Sequence, residues 1–238
     1  MSTPHLWAAR LASVCLLSSL ACVETLDGNG VQAEEARPER GFEKISARGS
    51  LEVELTRGDF AVVVRIDRNL ISHVVTTIDD GTLIIRMDGG NLGRHLPGPH
   101  VSVRMPALLD VELNGAGRLV ASGFEDQEAA SVELAGAGAV SWSGSAENLD
   151  VVLNGAGELS LTGEAALAEY FLAGAGTLDA RELTAGGANI ELEGPGSVLA
   201  TVDGRVDASV DGSGSIELFG DITRGTWTET TEGSIIER

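Results

Sequence analysis

The sequence predicts an all-β chain wound as a parallel β-helix, a solenoid of coils about twenty residues long with Gly-x-Gly corners. Three observations predict it. A short phrase recurs: "LNGAG" at residues 113–117 and 153–157, "LAGAG" at 134–138 and 172–176. Apolar residues alternate before and after each phrase, the period-two pattern of strands. The composition is 43% hydrophobic but 4% aromatic, with 31 Gly in 238 residues, which suits a thin aliphatic core.

The repeat is regular from about residue 111. The first glycine of each corner falls at Gly115, Gly136, Gly155, Gly174, Gly194 and Gly212, with a degenerate seventh expected at Gly233. The second is Gly117, Gly138, Gly157, Gly176, Gly196 or Gly214. Spacings of 18 to 21 residues are the mark of stacked structural repeats. Two residues before the first glycine stand Leu113, Leu134, Leu153, Leu172, Leu192 and Val210; four before stand Val111, Val132, Val151, Tyr170, Ile190 and Ala208. Both columns are expected inside. Between them stand Glu112, Glu133, Val152, Phe171, Glu191 and Ser209, expected outside. A second strand follows each corner, as in "AVSWSG" and "ELSLTG". Glycine supplies the positive φ of a tight turn, and two glycines around a small residue let coils stack at the ~4.8 Å strand spacing. Asn114 and Asn154 precede two corners and are expected to bond to the turn backbone.

Residues 41–110 are less regular. They read as first coils plus a cap over the solenoid's open edge, with turns at Arg57–Asp59 and Asp80–Gly81. Together, residues 41–238 form one expected domain. Ahead of it, residues 22–40 ("CVETLDGNGVQAEEARPER") are acidic, poor in apolar residues and without period, and read as a flexible tether.

Residues 1–21 read as a secretory signal: one positive charge at Arg10, a short apolar stretch over 11–21, and small Ser19 and Ala21 around Leu20. Two processing routes fit. Ordinary signal peptidase would cut after Ala21. "SSLAC" also resembles a bacterial lipoprotein box, which would put a lipid on Cys22; that reading is preferred because no other Cys follows. Removal of the signal takes Cys15 with it, so no intramolecular disulfide is expected. The expected destination is the cell envelope.

A net charge of −20 disfavours nucleic acid and anionic lipid head groups as partners. Candidate chemistry is sparse. Arg57-Gly58-Asp59 reads as a turn. His73, His95 and His100 fall short of a zinc signature. The calcium-solenoid repeat needs an Asp after its glycines, where Leu119, Val140 and Leu159 stand. No catalytic residue, cofactor or metal site is expected, and the chain does not read as an enzyme. The candidate binding ladder is Glu112, Glu133 and Glu191, or Asn114 and Asn154. Exposed Phe171 and Trp142 could stack on sugars, whereas Tyr170 falls in an inward column.

"GFEKISARGSLEVELTRGD", "NLISHVVTTIDDGTLIIRM" and the serial "LNGAG/LAGAG" together resemble the bacterial head GIN domain family of auto-transporter adhesins, over about residues 41–238. The resemblance implies a right-handed parallel β-helix of the pectin-lyase type and export to the cell surface or periplasm. It carries over no catalytic residues. Pro195 in one corner and the polar last coil "TWTETTEGSI" depart from the pattern. The expected function is a secreted, lipid-anchored, adhesin-like protein presenting a repeated surface, with a glycan or an envelope protein as partner. The alternatives are a structural envelope protein without a ligand and, third, a polysaccharide-active enzyme.

Overall fold

The computed structural model describes residues 25–92, 98–230 and 232–238. Among them are eighteen strands, one 3-10 turn at Ile71–His73 and no α-helix. The strands build a β-solenoid of about 7 turns.

Each regular coil is one long bent strand: Arg118–Gly136, Ala139–Gly155, Glu158–Gly174, Thr177–Glu193 and Ser197–Asp211. Neighbouring coils pair in parallel, and like residues stack on like. Val111, Val132, Val151, Tyr170, Ile190 and Ala208 form one ladder; Leu113, Leu134, Leu153, Leu172, Leu192 and Val210 form the next. Every member is buried. After the corner, Leu119, Val140, Leu159, Leu178, Val198 and Ile216 continue the core. Its third side is rich in alanine, with Ala146, Ala165 and Ala185 among the inward residues. Small side chains there let the sheets close on a narrow interior.

The corner glycines act in two ways. At Gly155, φ is +130°, which an L side chain rarely adopts. The first glycines of all six corners share this conformation, with φ from +104° to +134°. At Gly157, φ is ordinary, but a Cβ would lie 2.6 Å from the Gly138 carbonyl oxygen of the coil before. That oxygen accepts the Glu158 amide at 3.0 Å. The first position therefore needs glycine for conformation, and both positions need it because a Cβ would meet the stacked carbonyl of the coil before.

Several expectations are corrected. Gly233 belongs to the second corner position, because Ser234 pairs with Ser215 and so sets Gly233 over Gly214. A second turn, which the sequence reading missed, also uses glycine. Gly144 pairs with Gly163 (φ +126°), and any Cβ at Gly163 would run into the Gly144 carbonyl. The "SG" and "TG" endings of the post-corner strands were its signal. Trp142 is not exposed: at 2% accessibility it lies in the core, on the ladder between Ala121 and Leu161. Asn114 does not bond to the turn; its Nδ2 donates to Glu112 Oε1 at 2.5 Å.

The N-terminal coils stack out of sequence order. Lys44–Arg48 and Glu52–Arg57 lie against the first regular coil, while Thr82–Met87 and His100–Met105 lie beyond them. The chain winds outward and then returns through residues 106–109, where Leu108 is buried and the Leu109 amide bonds to the Glu43 carbonyl at 2.8 Å. Two antiparallel strands flank the outer coil. Val74–Asp79 forms a hairpin with Thr82–Met87 through Asp80 (φ +45°) and Gly81 (φ +73°), and Ala61–Asp67 pairs with His100–Met105.

Part of the expected tether is a structural element. Gln32–Arg37 pairs antiparallel with Ala61–Asp67, and Thr25–Leu26 pairs in parallel with Asn91–Leu92, with Leu26 buried. The apolar strand "AVVVRID" leaves backbone groups to be satisfied, and Gln32–Arg37 satisfies them while placing charge on the outside. Arg65 binds Glu34 at 2.7 Å, and Arg37 donates to the Ile71 carbonyl at 3.0 Å. At the other end, the polar last coil packs Trp227 against the core, with its Nε1 donating to the Val206 carbonyl at 3.0 Å and the Arg224 guanidinium 3.7 Å from its ring centre.

Candidate functional site

Strand alternation gives the sheet before the glycine corner an outward face. Two columns dominate it. One runs Ser46, Glu112, Glu133, Val152, Phe171, Glu191, Ser209, Thr228; the other runs Lys44, Asp110, Ser131, Asp150, Glu169, Asn189, Asp207. The candidate ladder residues thus share columns but not an unbroken row. Glu112 and Glu133 are neighbours, whereas Val152 and Phe171 separate them from Glu191. Asn114 and Asn154 are separated by Ala135. A single side chain repeated at each coil is therefore absent from these columns, and the face is a mosaic.

Its first part is an acidic group. Asp110, Glu112, Glu133 and Asp150 stand on three successive coils. Burial raises the Asp110 pKa, Lys44 opposes the rise, and Glu112 and Asp150 add to it. Glu133 is raised too, first by burial and then by Glu112, Asp110 and Asp150. The Ser46 hydroxyl donates to Glu112 Oε2 at 2.8 Å.

Its second part is a shallow depression of about 340 Å³ around Phe171. The ladder explains the shape: bulky Phe171 and Glu191 give way to the small Ser209 before Thr228 closes the row. A bulge in the last coil, between Arg224 and Trp227, brings Thr226 to the wall, where its amide donates to Asp207 Oδ1 at 2.5 Å. Arg205 grips the same carboxylate with two bonds of 2.8 Å and holds its pKa below the usual range. Directly behind Phe171, Tyr170 points into the core; its hydroxyl is buried without a hydrogen-bond partner, and burial raises its pKa.

The other candidates are dispersed. His73 sits on the 3-10 turn, with Nδ1 3.0 Å from the Asp88 carbonyl oxygen. His100 lies between Glu52 and Glu54, at 3.7 and 3.8 Å. His95 and Cys22 fall outside the described residues. Arg57 is exposed and donates to the Glu125 carbonyl at 3.2 Å, while the Gly58 amide bonds to the Met105 carbonyl at 2.9 Å, so this tripeptide turns the chain. Among the described residues no group of three or more His, Cys, Asp or Glu side chains could hold a metal ion.

Solved structures share this architecture. A "putative adhesin" from Bacteroides fragilis is 21% identical, with a TM-score of 0.84 over 90% of this chain and 100% of its own. A "putative lipid binding protein" from Parabacteroides distasonis is 22% identical, with a TM-score of 0.75 over 90% of this chain and 100% of its own. A "putative adhesin" from Parabacteroides merdae is 18% identical, with a TM-score of 0.71 over 91% of this chain and 100% of its own. At these identities the likeness speaks to the fold. No curated protein matches the sequence. The sequence itself matches, over residues 41–221, the family described as "Putative auto-transporter adhesin, head GIN domain", and with three quarters of its length inside that match the chain belongs to this family.

Proposed function

We propose that the protein is an exported, lipid-anchored adhesin-like protein of the cell envelope, and that the outward face before the glycine corners binds a glycan. One observation carries the reading. The inward ladders on this sheet are aliphatic apart from Tyr170, whereas the outward ladder on the same strands sets Val152 and Phe171 among carboxylates. An aromatic ring beside Val152 on an otherwise polar face supplies apolar surface that a ligand can cover. Nothing in the reading requires catalysis.

A lipid on Cys22 would have a geometric consequence. Thr25–Leu26 is already paired into the body, three residues beyond Cys22. The anchor would hold the N-terminal end close to the membrane. The coils would then stack away from that end, with Phe171 four ladder steps past Ser46, roughly 19 Å along the stack.

Two measurements test the reading. Cys22→Ser should move the protein from the membrane fraction to the soluble envelope fraction, and an unchanged membrane fraction would remove the lipid anchor. Beads coated with the purified protein should attach to glycan-bearing cells, and attachment should fall when the cell glycans are enzymatically stripped. Attachment that survives stripping would redirect the search to protein partners, and no attachment at all would leave the structural envelope role.

A further inference from the structure

We propose that the depression around Phe171 is a saccharide subsite that accepts neutral or amino sugars and rejects uronate, sialylated and sulfated ones. The inference rests on the adhesin reading and gives its ligand a chemical class and a place.

A pyranose ring offers an apolar C–H face and a rim of hydroxyls that both donate and accept hydrogen bonds. The depression offers counterparts to each. Phe171 is half-buried at its centre and supplies apolar surface. Asp150, Glu169 and Glu191 supply acceptors, and none of the three forms an ion pair among the described residues. Asn189 adds an amide, and Ser209 and Thr228 add hydroxyls that can donate. This mixture decides between two ligand classes. A Lys or Arg head group needs acceptors alone, whereas a hydroxyl-rich rim needs donors beside acceptors. Asp207 is already committed to Arg205 and the Thr226 amide, so it fixes the wall. At about 340 Å³ the depression lies at the small end of the roughly 300–1,000 Å³ usual for ligand pockets, which suits one sugar residue of a longer chain.

Charge sets the selectivity. An anionic sugar on Phe171 would lie within one or two coil spacings, ~5–10 Å, of three carboxylates, about a Debye length or less, where salt screens incompletely. The net charge of −20 adds to the repulsion on approach. An amino sugar gains from the same field.

The test is a glycan array with the purified protein, followed by titration of the strongest neutral or amino oligosaccharide against wild type, Phe171→Ala and Glu191→Gln. Melting temperatures are measured on the same samples. The expected result is binding confined to neutral and amino glycans, with affinity reduced at least about tenfold by Phe171→Ala and several-fold by Glu191→Gln, while both variants melt as folded proteins. Binding that survives both variants would overturn the subsite and leave the adhesin reading standing. Preference for anionic glycans, or binding of cationic peptides in place of sugars, would overturn the ligand class. A blank array would overturn the subsite, and cell attachment of coated beads would then decide the adhesin reading on its own.

Discussion

The regular coils and the N-terminal portion both face the problem of an open sheet edge, and they solve it differently. From Asp110 to Phe219 each edge is covered by the next coil, so the same residues recur at the same register and glycine recurs wherever backbones meet. From Thr25 to Met105 the stack ends, and the edges are covered by antiparallel strands: Val74–Asp79 on one sheet, Ala61–Asp67 and then Gln32–Arg37 on another. Repetition specifies register, and termination has to break it. The charged strand Gln32–Arg37 ends pairing because its outward groups resist a further strand.

That comparison can be broken most severely at a corner. Gly155→Val combines left-handed strain of about 1–3 kcal/mol with overpacking of about 1–3 kcal/mol against the Gly136 carbonyl. Gly41 has a similar sign of φ, +78°, but open space around it, so Gly41→Val should carry the strain alone. Thermal melts of the two variants should separate clearly. Equal losses would mean that coil stacking does not constrain the corner.

The stacked columns and corner positions were legible because they repeat. Leu113 through Val210 needed only alignment against the glycines, and burial follows from alternation. What was not legible shares one cause, the lack of a second copy to align. Nothing in residues 41–110 announces that 44–57 packs beside the first regular coil while 82–105 lies outside it. Gln32–Arg37 has the composition of a linker, and its strand state depends on a partner 25 to 35 residues away. Trp142 looked exposed because bulk on a small-residue solenoid draws attention, yet it falls on the inward ladder with Ala121 and Leu161. Of the candidate site, the outward column could be read, but the depression could not. It depends on the bulge at Thr226 and on the drop in size at Ser209.

Smaller effects sharpen the contrast between the two faces of one strand. Tyr170→Phe removes a buried hydroxyl that has no partner and should stabilise the protein by about 1 kcal/mol; a fall in melting temperature would show that the hydroxyl is satisfied. Glu133→Gln should stabilise by a few tenths of a kcal/mol at neutral pH, the scale of partly exposed charge interactions. The sign follows from a folded-state pKa raised above the unfolded one. The ionised carboxylate costs stability at neutral pH, and the cost is relieved as pH falls through the raised pKa and Glu133 takes up a proton. The gain from the variant should therefore fade under acid. A gain that grows under acid would contradict the assignment.

The most direct measurement uses adjacent residues with opposite directions, Phe171 outward and Leu172 inward. Leu172→Ala and Phe171→Ala are compared by thermal melting and by attachment of coated beads to cells. The expected result is a loss of about 2–5 kcal/mol for Leu172→Ala, the cost of a cavity in a packed core, and a clearly smaller loss for Phe171→Ala, which remains folded and no longer attaches. Wild-type attachment by folded Phe171→Ala protein would contradict the claim that the repeat holds the core so that the outward face can bind.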